Sequence, residues 1–228
     1  IYLATYLLAA LIQILNFTIL MFIKIKKPEV RTQKLRPLSD ILMQQTLIIA
    51  ILAAAVGYSL MSFIMTATPL QIVNICKLGN SASSTVIQWH IIAMFAPSFF
   101  TGSIISRFGN RKVMLAGIIL YAFSVFFGIL GETVQNFWIA LFLCGLGWNF
   151  LYVGGSDIIA KSALPEERAK VQGVTDFIIF VFVAMGSFLA GYLHSNLGWE
   201  IMLFYTTIPI ILIFIGIIII KPQKLKLN

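Results

Sequence analysis

The chain is 228 residues long, 60% hydrophobic and 11% charged, with a mean hydropathy of +0.97. These values exclude a soluble globular domain and describe a protein whose solvent is largely lipid. The net charge of +8 does not indicate nucleic acid, because the cations fall between apolar spans without the interleaved aromatic and polar pattern of a binding face.

Seven stretches are long enough to cross a bilayer, which takes roughly 20 apolar residues at about 1.5 Å each. They lie near 1–23, 46–68, 86–106, 113–131, 136–156, 171–193 and 199–220. Phe, Ile and Leu are spread around all faces of these segments instead of alternating, so an all-α integral membrane protein fits and barrel strands do not. The first span starts at Ile1 with no initiator Met, basic n-region or small-residue cleavage site. It therefore reads as a span of a larger protein and not as a signal peptide.

Residues 24–45, KIKKPEVRTQKLRPLSDILMQQ, form the longest and most charged connection, and Pro28 and Pro37 interrupt any helix. They read as a linker between two bundles. Residues 46–220 are then six tightly joined spans, and residues 221–228 a short tail.

Orientation follows from where cations are retained. With the linker inside, that side holds Lys24, Lys26, Lys27, Arg31, Lys34 and Arg36, then Arg107, Arg111 and Lys112. Lys161, Arg168, Lys170, Lys221, Lys224 and Lys226 follow on the same side, so fifteen of the sixteen Lys and Arg are inside and only Lys77 is outside. The amino terminus is expected outside and the tail in the cytoplasm.

Within the third span, spacings of four, three and four place His90, Met94, Pro97 and Thr101 on one helical face. His90 could contact a solute or relay a proton, or it could be an interfacial residue beside Trp89. Between the third and fourth spans comes GSIISRFGNRK, Gly102 to Lys112, with three cations and no carboxylate. In the fifth span Gly145, Trp148, Asn149, Tyr152 and Ser156 share a stripe suited to an amphipathic solute with π-faces. Tyr58, Ser62 and Thr66 give the second span a polar side, with Met61 and Met65 nearby. Either stripe could instead be helix packing, the role expected of Gly186, Ala190 and Gly191. Asp176 lies about one turn inside the sixth span, where an ionisable group costs at least about 2.5 kcal/mol unless paired or hydrated. It is a candidate for proton or cation coupling, or an inner-rim carboxylate pairing with Arg168 or Lys170.

No catalytic constellation is legible. The two His are far apart, Cys76 and Cys144 suggest neither a metal cage nor a disulfide framework, and H-E-x-x-H and Walker motifs are absent. The expectation is no enzyme, no metal and no cofactor.

GSIISRFGNRK resembles the signature between the second and third helices of each half of major facilitator superfamily carriers, roughly G-x-x-x-D-R-x-G-R-[KR]. Gly102, Arg107, Gly109, Arg111 and Lys112 match, while Ser106 stands where the family has an acid. LPEERAKVQG (164–173) resembles the inner loop between the fourth and fifth helices of a half, and GLGWNFLYVGGSD (145–157) the fourth helix in some bacterial carriers. The resemblance implies the sixth to twelfth helices of a carrier in a bacterial inner membrane. The last six would form one bundle of two inverted three-helix repeats, with a small-molecule substrate and a missing amino-terminal half as partners. It also implies an inner gate in which Asp157 pairs with Arg107 or Arg111 and Arg168 marks the second inner loop, weakened by Ser106. The same cations could act only as headgroup anchors. A structural subunit or a non-transporting remnant is the other reading.

Overall fold

A computed structural model describes residues 2–23 and 36–219. Most of the expected linker, residues 24–35, and the tail lie outside the described residues. The chain divides into two units. The first contains α1, Tyr2–Phe22, a helix of 21 residues with no charged side chain.

Among its described residues the second unit is helical apart from its turns. It opens with a short helix inside the expected linker, α2 (Leu38–Leu42), followed by α3 (Gln45–Pro69), which closes in a π-helical turn, Leu70–Ile75. Next come α4 (Asn80–Phe95) and α5 (Ser98–Phe108), which meet at 43°. Then follow α6 (Asn110–Leu130), α7 (Val134–Ser162), α8 (Arg168–Leu197), α9 (Trp199–Tyr205) and α10 (Thr207–Ile219). Six spans pass on length and apolarity, with α9 and α10 together making one, and the bent α4–α5 pair supplies a seventh.

Local chemistry explains the breaks. Pro97 has no N–H to return to the preceding turn, so the helix bends there. The α5–α6 turn is made by Gly109 at φ +83°, a left-handed conformation open to glycine. Thr133 starts α7 by accepting the Asn136 N–H at 3.2 Å.

The spans form two trios, α3/α4–α5/α6 and α7/α8/α9–α10. The first helices, α3 and α7, pack against each other. Each also packs on the second member of the other trio, α3 on α8 and α7 on α4, and each meets the third, α3 with α10 and α7 with α6. That reciprocal pattern is what a twofold between inverted repeats produces.

α7 is the hub because its glycines admit backbone on three sides. A Cβ at Gly145 would sit 2.7 Å from the His90 carbonyl of α4, one at Gly155 2.8 Å from the Ala50 carbonyl of α3, and one at Gly147 3.0 Å from the Gly117 carbonyl of α6. With lipid offering no hydrophobic contrast, close backbone approach and dispersion hold such helices together. Gly186 packs likewise, 2.8 Å from the Ser59 carbonyl, whereas Gly191 faces open space. Buried polar groups find carbonyl partners: the Tyr121 hydroxyl donates to Gly57 at 2.5 Å, Ser124 to Ala140 at 2.7 Å, and the Trp199 indole to Gly128 at 2.7 Å.

Candidate functional site

The end of the bundle carrying the α5–α6 turn collects the charged motif. Gly102 faces open space, and Ser106 donates to the Ser103 carbonyl of its own helix at 2.8 Å. Arg107 lies 5.3 Å from the Phe108 ring centroid, and Arg111 donates to the Ile218 carbonyl at the end of α10, 2.6 Å away. Lys112 and Arg168 are exposed. Asp157 pairs with neither arginine. Its Oδ2 receives Asn110 Nδ2 at 2.8 Å and Lys161 Nζ at 2.5 Å, one turn along α7. Lys161 reaches it without crossing between helices, and Asn110 satisfies it from α6.

The most extensively hydrogen-bonded ion pair at this end joins residues that the motif comparison did not single out. Glu167, in the α7–α8 turn, is 4% exposed. Its carboxylate accepts from Arg36 Nη2 at 2.6 Å and from the backbone N–H groups of Arg36 and Leu164, each at 3.0 Å. Arg36 Nη2 also donates to the Ser162 carbonyl at 3.2 Å. The Arg36 guanidinium holds the Glu167 carboxyl down at about 2. A charge run in a linker gave no signal for this; the partner is 131 residues away.

In the middle of the bundle, Asn149 serves the α4–α5 bend. Fully buried, it donates through Nδ2 to the Met94 carbonyl and the Ser98 hydroxyl, both at 2.7 Å, and accepts from the Thr101 hydroxyl at 2.6 Å. Both of its amide donors are thus occupied within the bundle. Met94 is buried at the same place. His90, 0% exposed, sits in the α4–α7 contact. Its Nδ1 lies 2.7 Å from the Leu141 carbonyl, so Nδ1 carries a hydrogen, while Nε2 has no partner. It is therefore enclosed by the packing of α4 on α7. Ser62 is likewise engaged between helices, its hydroxyl 2.6 Å from that of Ser187 on α8.

Tyr58, Trp148 and Tyr152 do come together. Trp148 and Tyr152, one turn apart on α7, stack at 5.1 Å and 9°. Tyr58 of α3 stands edge-on to both at 5.3 Å. Phe95 from α4 meets Trp148 at 5.7 Å, and Phe180 from α8 meets Tyr58 at 5.8 Å. Five rings from α3, α4, α7 and α8 thus form one cluster, with Phe95 57% and Phe180 55% exposed. The Trp148 Nε1–H is buried with no hydrogen-bond partner. Asp176 lies one turn before Phe180 on α8, half-buried and without an ion-pair partner among the described residues, Arg168 and Lys170 included. Phe95 and Phe180 escaped the sequence reading because single phenylalanines in an apolar span carry no periodic signal.

The arrangement offers flat apolar faces, one unpartnered donor and one carboxylate among the described residues.

A family model described as Major Facilitator Superfamily matches residues 47–227. The chain belongs to the major facilitator superfamily. Within the superfamily it is 41% identical over 191 residues to the riboflavin transporter RfnT of Brucella anthropi, covering 82% of this chain and 47% of that protein. It is 33% identical over 145 residues to the MFS-type transporter YddS of Bacillus subtilis, covering 63% of this chain and 33% of that protein. A third relative, the multidrug resistance protein MdtL of Shewanella sp., is 23% identical over 158 residues, 67% of this chain and 40% of that protein. The chain thus spans about a third to a half of the length of these relatives. Membership and the apolar helices together make it an all-α integral membrane protein of the major facilitator type.

Proposed function

We propose that this chain is the carboxy-terminal half of a secondary carrier, residues 46–220, preceded by the last helix of the other half and a cytoplasmic linker. Together with an amino-terminal half it moves a small planar heteroaromatic solute across a bacterial inner membrane by alternating access. The observation that carries this reading is the Trp148–Tyr152 stack with Tyr58 across it. Offset or edge-on aromatic contacts are worth about 0.5–1.5 kcal/mol each beyond area burial. A solute ring inserted between such faces gains this repeatedly, and the unpartnered Trp148 N–H suits an acceptor on its edge. An isoalloxazine has both features, and the 41% identity to a riboflavin transporter supports riboflavin as the first solute to try.

In this reading the cation-rich turns face the cytoplasm. Gly102, Ser106, Arg107, Gly109, Arg111 and Lys112 form the inner gate with Asp157 and Arg168, through contacts of a few kcal/mol that rearrange between states. Asp176, unpaired beside the cluster, is the group for proton or cation coupling.

The test is uptake of labelled riboflavin by cells lacking their own riboflavin transporter and expressing the full protein. Saturable uptake that flavin analogues compete supports the proposal. The absence of saturable flux for any planar solute would overturn it in favour of a structural subunit or a remnant. Uptake by purified single copies of this chain alone would overturn the half-carrier assignment.

A further inference from the structure

At the end of the bundle opposite the α5–α6 turn, three side chains from three segments form one hydrogen-bonded chain. The π-helical turn closing α3 carries Gln71, 3% exposed. Gln71 Nε2 donates to Glu132 Oε1 in the α6–α7 turn at 2.7 Å. Gln71 Oε1 lies 2.9 Å from His194 Nε2, in the last turn of α8. The chemistry sets every direction in this chain. A carboxylate only accepts, so the Gln71 amide nitrogen faces Glu132; its oxygen then faces His194, whose Nε2 must carry hydrogen.

A neutral imidazole meets that requirement in only one of its two tautomers. An imidazolium always meets it, and its N⁺–H···O bond is charge-assisted, roughly twice as strong as the neutral one. Carboxylates face His194, while its partial burial lowers its proton affinity from the ordinary imidazole value. A cavity of about 340 Å³ is lined by Gln71, Glu132, His194, Trp199 and Glu200 and has no Lys or Arg among its described lining residues. The Trp199 ring stands 6.5 Å from the imidazole, and Cys76 Sγ lies 3.6 Å from Gln71 Nε2. The cavity gives water, and hence protons, a route to the buried amide.

We propose that Glu132, Gln71 and His194 form a proton-binding latch. A proton taken from cavity water onto His194 Nδ1 ties the end of α3, the α6–α7 turn and the end of α8 together, and its release loosens them. The latch is tightest at pH values below the His194 titration, which burial holds under the ordinary imidazole value of 6.5. The latch involves none of the aromatic cluster, so it stands whether or not the solute assignment holds.

Cys76 is a native reporter, because its thiol touches Gln71 while Cys144 is fully buried. The experiment is labelling of the full protein with a small charged maleimide between about pH 5.5 and 8, with Cys76→Ser as the background. Thiolate formation itself accelerates labelling as pH rises, so wild-type rates are divided by those of His194→Gln, which keeps an amide donor but cannot titrate. The expected ratio rises about threefold or more across this range as the imidazolium is lost. A ratio that stays constant overturns the proposal. Should His194→Gln fail to fold, hydrogen exchange of residues 70–76 in the wild type, corrected for intrinsic rates, decides instead. Protection that falls from about pH 5.5 to 8 supports the latch, and unchanged protection sinks it.

Discussion

Arg36 and Glu167 hold one another at 2.6 Å although 131 positions separate them. Glu167 is buried and accepts from two backbone N–H groups as well as the guanidinium. The pair therefore pins the segment before α2 to the α7–α8 turn. Arg36→Ala leaves a buried carboxylate short of its main partner and should lower stability by about 2 kcal/mol. Thermal unfolding of the detergent-solubilised protein measures it, and an unchanged melting temperature would show the pair to be idle.

The same pair sets an acid limit. The Glu167 carboxyl is depressed from 4.5 to about 2 in the fold. A depressed carboxylate contributes stability that is fully present above its unfolded value and lost as pH falls through its folded one. Wild-type stability should therefore decline between roughly pH 4.5 and 2, in step with the shift, and Glu167→Gln should lack that component. Parallel melting curves for both proteins across this range would contradict it.

Asn149→Ala should act on stability and not on solute recognition. It strands the Met94 carbonyl and the Ser98 hydroxyl at the α4–α5 bend, while the Thr101 hydroxyl keeps the Pro97 carbonyl, a loss of about 2 kcal/mol or more. The variant is expected to melt earlier, with the KM for riboflavin close to wild type wherever it folds. A raised KM with normal melting would return Asn149 to the binding site.

Trp148→Phe retains a ring and removes the unpartnered N–H. One hydrogen bond of about 1.4 kcal/mol corresponds to tenfold in affinity, so KM for riboflavin should rise up to about tenfold, and further in Trp148→Ala. Equal KM values for Trp148→Phe and wild type would exclude the indole N–H from solute contact.

Gly145→Ala should destabilise the α4–α7 contact by about 1–3 kcal/mol, because its Cβ would lie 2.7 Å from the His90 carbonyl. Gly102→Ala meets nothing within 4 Å and should fold normally. Equal melting temperatures for the two variants would refute the close approach.

Much of this was legible in one dimension. The uninterrupted apolar lengths and the GSIISRFGNRK turn located the spans and the family, and the Tyr58 and Trp148–Tyr152 stripes did converge. The polar residues were harder to read. Trp148 and Asn149 are neighbours in sequence, but at about 100° per residue they face different helices. One joins a ring cluster while the other is fully occupied by the α4–α5 bend. Nothing in one dimension showed that Ser62 meets Ser187 or that His90 Nδ1 meets the Leu141 carbonyl, leaving only Nε2 of that ring without a partner.

The sequence by itself determined that this chain crosses a membrane as helices, roughly where they lie, with α4 beginning and α7 ending six residues beyond the expected spans, and which superfamily it belongs to. Those properties depend on apolar length and on contiguous motif residues. Only the tertiary structure decided which polar atoms are occupied and which remain available. Arg36 with Glu167, Asn149 with Met94 and Gln71 between Glu132 and His194 are each made by segments far apart in sequence. A buried polar group costs free energy unless it is paired, and the packing of the helices determines which groups are paired and with what.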